Sequence, residues 1–167
     1  MNLQRNTRAL GPISLIPITV QVAAVCYRQG RAGTEFLLVR TSSGRWIFPK
    51  GNIDDSLPRY DAASREASEE AGAMGRIEAR CFHIFKYWKS PEDDLVFVEA
   101  YLMEVQRTES PEEEHREPTW FKPEGAREAI AEGRDPQSAA ELASVIDSAV
   151  KTIQGAGKPE RPSVRRR

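Results

Sequence analysis

The chain has little cysteine: Cys26 and Cys81 are the only two in 167 residues. Neither stands in a Cys-x-x-Cys pair or near a histidine at ligand spacing, so a zinc ribbon or dithiol redox centre is excluded. Each lies in an apolar run, "VAAVCY" and "RCFHIF". Both read as buried thiols of a reducing compartment, which makes the expected location cytoplasmic. Histidine is as scarce, and His83 and His115 are too far apart to form a ligand pair. No run of about 20 apolar residues exists, so no membrane-spanning helix is expected. "LGPISLIPITVQVAAVC" follows Arg5 and Arg8 as a secretory signal would, but Pro12, Pro17 and Gln21 interrupt it. The stretch reads better as an irregular segment entering a strand. An excess of one charge is also missing. The formal net charge of −1 gives no global field for a nucleic acid, which is an unlikely partner.

What remains is an ordinary globular composition, 40 % apolar and 29 % charged, in a length that suits one domain with its own core. Residues 1–17 look irregular, residues 18–154 carry the periodic pattern, and residues 155–167, "GAGKPERPSVRRR", look like a disordered basic tail. Strands are predicted over 19–27, 36–40, 79–88 and 95–105, with short extended pieces around 46–48 and at "WF". "RQGRAGTE" and "KSPEDD" are the turns between paired strands. Helices are predicted over 56–71, 123–132 and 138–153, the first capped by Ser56 and ended by Gly72. No internal repeat is present.

The first helix raises the chemical question. Glu66, Glu69 and Glu70 stand at i, i+3 and i+4, so they share one face with only Arg65 to offset them. Like charges at that spacing cost a few tenths of a kcal/mol per pair. A solvated face absorbs this, and acidic helix faces are common. The other explanation is a hard divalent cation, which takes carboxylate oxygens and bridges them to phosphate. On this view the acidic face is exposed. Ala63, Ala67 and Ala71 lie on another side, where small residues let the helix pack closely on a sheet. Gly51 is expected to allow a sharp change of direction after "FPK".

The flanking residues resemble the Nudix box, Gly-x5-Glu-x7-Arg-Glu-apolar-x-Glu-Glu-x-Gly-apolar. Gly51, Arg65, Glu66, Ala67, Glu69, Glu70, Gly72 and Ala73 fall on its positions. "FLLVR" with "RWIFPKG" before it, and "PTWF" after it, extend the resemblance over about residues 18–150. One position departs: the box has glutamate at its seventh place, where this chain has Leu57. In the family that glutamate is mostly a structural partner of the box arginine, and Asp54 or Asp55 is the nearby substitute.

The resemblance implies an α+β fold, an α/β/α sandwich with a mixed sheet. It implies a Nudix hydrolase that uses Mg²⁺ or Mn²⁺ to cleave a phosphoanhydride bond in a nucleoside-diphosphate-linked or polyphosphorylated small molecule. Glu66, Glu69 and Glu70, with Gly51, would hold the metal, and Arg65 belongs to the same catalytic set. The general base would be a carboxylate of this helix or of "ESPEEEHRE", with Glu113 and Glu114 as the loop candidates. Lys50 is the first candidate for the substrate phosphates, followed by Arg40, Arg45, Lys86 and Arg116. "RWIFPKG" and "REPTWF" look like the diphosphoinositol-polyphosphate and dinucleoside-polyphosphate hydrolase group. Substrates such as ADP-ribose, a nucleotide sugar or 5′-triphosphorylated RNA stay open. Trp46, Tyr87, Trp88 and Trp120 would stack on an adenine or belong to the core. Two other classes compete: a ligand-binding domain without turnover, for which Leu57 speaks, and a nucleic-acid contact through "RPSVRRR". A homodimer is left open.

Overall fold

The computed structural model describes residues 16–90 and 94–157. Strand β1 (Ile18–Gly30) is the axis of the molecule. It pairs antiparallel with β2 (Gly33–Arg40) through a turn at Arg31 and Ala32, and parallel with β6 (Leu95–Thr108) on its other side. β5 (Ala73–Trp88) pairs antiparallel with β6. β3 (Trp46–Ile47) and β7 (Thr119–Phe121) pair with β2, and β4 (Lys50–Asn52) pairs with β1. The result is a mixed seven-stranded sheet with three helices, α1 (Arg59–Ala71), α2 (Pro123–Ala131) and α3 (Pro136–Ala156).

β1 is covered on both faces, so it reads as a continuous apolar run rather than an alternating one. Val22, Ala23, Ala24, Val25 and Cys26 are all fully buried. The two helix layers can be placed from adjacent residues of β5, which point to opposite faces. Ile84 shares a row with Glu99, which accepts an ion pair from Arg59 of α1. His83 instead meets Ser144 and Ser148 of α3, at 3.2 and 2.8 Å. So α1 lies on one face and α3 on the other, with α2 packed beside α3. α1 sits close to the sheet because its inner stripe is Ala62, Ala63, Ala67 and Ala71. α3 fills the opposite layer with Leu142, Val145, Ile146 and Ala149. Each larger aliphatic side chain buried this way contributes roughly 1.5–3 kcal/mol.

Several local expectations change. Ser56 does not cap α1. Its N–H and hydroxyl both donate to Asp54 Oδ1, at 2.9 and 2.5 Å, in a side-chain turn ahead of the helix. The helix begins three residues later, after Pro58, whose backbone is still extended. Its C-terminus is as expected: Gly72 adopts the left-handed conformation, φ 61°, and its N–H returns to the last turn. β5 starts at once after Gly72, earlier than periodicity suggests, because its first half carries exposed Arg76, Glu78 and Arg80. Bulges between Met74 and His83 break the register there, which is why the alternation is not visible in sequence. Cys26 is buried as expected, whereas Cys81 is only half-buried, its thiol donating to the His83 carbonyl at 3.2 Å. The acidic turn "KSPEDD" falls partly, and the tail "RPSVRRR" wholly, outside the described residues. No described helix is long and apolar enough to cross a membrane.

Candidate active site

The acidic face of α1 is laid against β4. Gly51 is central to this, though not for its torsional freedom, since its φ is not positive. A Cβ on Gly51 would stand 2.2 Å from the Glu66 carboxyl carbon and from one of its oxygens. The missing side chain is therefore the space into which the Glu66 carboxylate is folded. Glu70 lies one turn on. Its Oε2 accepts the Lys50 backbone N–H at 3.2 Å, and its Oε1 meets Arg116 at 3.3 Å.

Glu70 is not on an exposed face, as the sequence suggests; it is 6 % exposed. Burial pushes its carboxyl up to about 7, against the opposing pull of Arg116 and the Lys50 N–H. Glu66 and Glu113 add to the rise through their charges. Glu66 is also raised, first by burial and then by Glu69. The site thus holds carboxylates in a partly dry setting, where an isolated charge is costly and a cation is welcome.

Arg65 does different work. It donates to Asp54 Oδ2 at 2.7 Å and stands 3.8 Å from Glu69. Asp54, held by Ser56 and Arg65, has its carboxyl pulled down to about 2. Asp54, not Asp55, therefore fills the arginine-partner role that Leu57 leaves open. Leu57 itself is half-buried just ahead of the helix.

The later loop closes over the other end of α1. The Glu109 N–H donates to the Gly72 carbonyl at 2.7 Å, and the Glu113 N–H to the Glu69 carbonyl at 3.2 Å. A short 3₁₀ turn, Glu114–Arg116, follows. Of the two loop carboxylates, Glu113 is the one that reaches the site. Arg116 Nε donates to it at 2.8 Å, and its charge acts on both Glu66 and Glu70. Glu114 is exposed and enters neither of those pairs.

The predicted phosphate-binding residues do not form one cluster. In β4, cross-strand register pairs Lys50 with Ala23 and Gly51 with Val22. Partners share a face and neighbours alternate, so the Lys50 side chain leaves the sheet opposite the Glu66 carboxylate. There Lys50 Nζ donates to Gln21 Oε1 at 3.2 Å and to the Tyr87 hydroxyl at 3.0 Å. Tyr87 donates to the same Gln21 oxygen at 2.8 Å, and Gln21 Nε2 donates to Asn52 at 3.1 Å. Sequence reasoning missed Gln21, a buried polar residue on a central strand, whose signal was that it interrupts an apolar run.

Arg40 lies over the Trp46 ring, 4.0 Å from its centroid, donates to the Gly44 carbonyl and pairs with Glu117 at 3.4 Å. Arg45 is turned onto Ser43 and lies against Gly133, beside Arg134. Arg134 was not singled out by sequence. Burial and the Arg45 charge lower its pKa to about 10. Among the described residues neither Arg45 nor Arg134 has an acidic partner within ion-pair distance. Lys86 is exposed and brings only its backbone N–H, to Glu141. Trp46 and Tyr87 are covered by cations, Trp120 carries Arg28 at 4.1 Å, and Trp88 is exposed.

A glycine that makes room for a helix carboxylate, three acids on one helix face and a sheet of this order define a class. The NUDIX domain model matches residues 17–142, and the chain belongs to that family, whose hydrolases act on phosphoanhydrides and generally use divalent metals. The chain is similar to human diphosphoinositol polyphosphate phosphohydrolase 3-alpha, 32 % identical over 64 % of this chain and 65 % of that one. It is similar to rat diphosphoinositol polyphosphate phosphohydrolase 2, 31 % identical over 64 % and 59 %. The matched stretch thus spans less than two thirds of either relative. Among solved structures, a C. elegans Ap4A hydrolase in a binary complex superimposes with a TM-score of 0.65, at 22 % identity, over 82 % of this chain and 98 % of that one.

Proposed function

We propose that this chain is a divalent-metal-dependent hydrolase that cleaves a phosphoanhydride bond in a small molecule bearing several phosphates. The observation that carries this is the Glu66 carboxylate folded into the space of the absent Gly51 side chain, one turn from the buried Glu70. The donor set suits Mg²⁺ or Mn²⁺: hard carboxylate oxygens from Glu66, Glu69 and Glu70, with the Gly51 backbone beside them. As the side chains stand, no three acidic groups among the described residues converge on one point, because Glu70 faces Arg116 and Glu69 faces Arg65. Their spacing, i, i+3 and i+4, nonetheless puts all three on one face of the helix. The metal, when bound, would supply charge neutralisation at phosphate oxygens and an acidified water.

The chain's own residues supply the rest. Glu113, the loop carboxylate that reaches Arg116 and the acidic face, would take a proton from an attacking water. Arg65, fixed by Asp54, holds the start of the acidic face. Lys50, with Gln21, Asn52 and Tyr87, forms a polar group on the sheet face opposite the Glu66 carboxylate, and so would meet only a part of the substrate remote from the acidic face. Arg45 and Arg134, side by side with no acidic partner among the described residues, favour a substrate with several phosphates, since arginine pairs well with phosphate oxygens. The similarity to diphosphoinositol polyphosphate phosphohydrolases points the same way. The alternative, a binding domain without turnover, rested on Leu57, and the Asp54–Arg65 pair supplies the contact that Leu57 lacks.

The test is product release with Mg²⁺ and with Mn²⁺ from diphosphoinositol polyphosphates, diadenosine polyphosphates, ADP-ribose, nucleotide sugars and 5′-triphosphorylated RNA, each beside Glu70→Gln. The expected outcome is metal-dependent turnover of a polyphosphorylated member, lowered at least about 100-fold in the variant. Full activity of Glu70→Gln would refute the assignment of the acidic face. No turnover by the parent protein on any member would favour the binding module.

A further inference from the structure

Arg116 was expected to bind substrate, and the geometry points to another task. We propose that Arg116 is a positioning residue: it fixes the Glu113 loop to Glu70 and to the end of β2, and so sets where the two carboxylates stand. The inference rests on the functional reading above.

Each guanidinium nitrogen of Arg116 already has a protein partner. Nε donates to Glu113 Oε2 at 2.8 Å, Nη1 donates to the Arg40 carbonyl at 3.2 Å, and Nη2 meets Glu70 Oε1 at 3.3 Å. These partners come from three elements: the loop, the last residue of β2 and the last turn of α1. The arginine is largely buried, its side chain 21 % exposed against 8 % for that of Glu70. The 3₁₀ turn starts directly after Glu113, and the Arg116 N–H donates to the Glu113 carbonyl at 3.1 Å, which keeps the two residues beside each other. The Glu113 N–H is independently tied to the Glu69 carbonyl. A fork spread over two carboxylates and a carbonyl has few donors left for a phosphate. The side chains of Arg45 and Arg134 show one hydrogen bond each, to Ser43 at 3.2 Å and to the Ile130 carbonyl at 2.6 Å, and no acidic partner among the described residues. The planar fork, rather than charge alone, holds three directions at once, so lysine is a poor replacement.

The experiment compares Arg116→Gln and Arg116→Lys with the parent in two assays. One is steady-state kinetics on the substrate found above. The other is Mn²⁺ titration of the substrate-free protein by electron paramagnetic resonance. Positioning predicts that kcat falls about 10–100-fold in Arg116→Gln, that KM changes less than about threefold, and that Mn²⁺ affinity changes about tenfold. Arg116→Lys is expected to recover less than half of the loss on a logarithmic scale. Adding Glu113→Gln to Arg116→Gln should cost less than it does in the parent, because the two act as a unit. A rise in KM of tenfold or more at unchanged kcat, with Mn²⁺ affinity unmoved, would overturn the proposal and return Arg116 to the substrate. If the parent turns over nothing, the hydrolase reading fails, while unchanged Mn²⁺ affinity in the variants would separately refute the hold on Glu70. If Arg116→Gln does not fold, Arg116→Lys carries both assays with the same criteria.

Discussion

Gly51 and Gly72 bracket the same acidic helix and have opposite reasons to be glycine. At Gly51 the absent Cβ leaves room for a side-chain end, the Glu66 carboxyl. At Gly72 the backbone is left-handed, and a Cβ would stand 1.9 Å from the carbonyl oxygen of Glu109. A carboxylate at the tip of a glutamate can swing away; a loop backbone docked on the helix end cannot. The contact at Gly51 is therefore made with an acidic side chain of α1 and the contact at Gly72 with the backbone of the docked loop. The two glycines look alike in sequence and should fail differently.

The largest effect expected is from Gly72→Ala. The left-handed conformation costs about 1–2 kcal/mol, and displacement of the Glu109 backbone adds more, for a loss of roughly 3 kcal/mol or above. Thermal unfolding should shift down by about 10 °C, with activity lost through the loop that carries Glu113. A shift under about 2 °C would show that the loop is not docked as described. Gly51→Ala should do the reverse. Its Cβ displaces the Glu66 carboxylate, so kcat should fall about 100-fold while the melting temperature stays within about 3 °C. Equal damage to stability and activity would erase the distinction between the two glycines.

The smallest effects belong to the helix entry. Leu57→Glu should change activity less than about twofold, because Arg65 already has Asp54. Asp54→Asn is the informative partner. The Asp54 carboxyl is depressed from its ordinary value to about 2 by Ser56 and Arg65. A depressed carboxyl stabilises the fold above its unfolded pKa and loses that contribution as pH falls through the folded value. The variant should therefore be the less stable protein above about pH 4, with the gap closing as pH approaches 2. Urea melts of both proteins across that range test it, and a gap that widens on acidification would contradict the Asp54–Arg65 pairing.

Much was legible in the chain. The helix after Gly51, the strands on either side of "KSPEDD", the closing helices and the acidic triad follow from periodicity and from residues whose types are constrained locally. Short-range chemistry was misjudged where a turn competed with a cap: Ser56 is bound by Asp54 instead of starting the helix. The early half of β5 was hidden because bulges and exposed charges erase alternation. At the site, the sequence listed Lys50 beside Gly51 without showing that adjacent strand residues send their side chains to opposite faces. Arg134 stands far from the box in the chain and carried no local signal.

The sequence by itself determined the set of chemical groups: three carboxylates at helical spacing, a glycine on each side, and arginines before and after. Spacing along a helix is a local property, so these relations hold before the chain is packed. The tertiary structure alone decided which groups are neighbours across elements. It buried Glu70 and so raised its pKa, gave Arg65 to Asp54, brought Glu113 to Arg116, and spread Arg116 over three elements. Burial and long-range pairing depend on how strands register and where loops dock, and no short stretch of sequence contains that information.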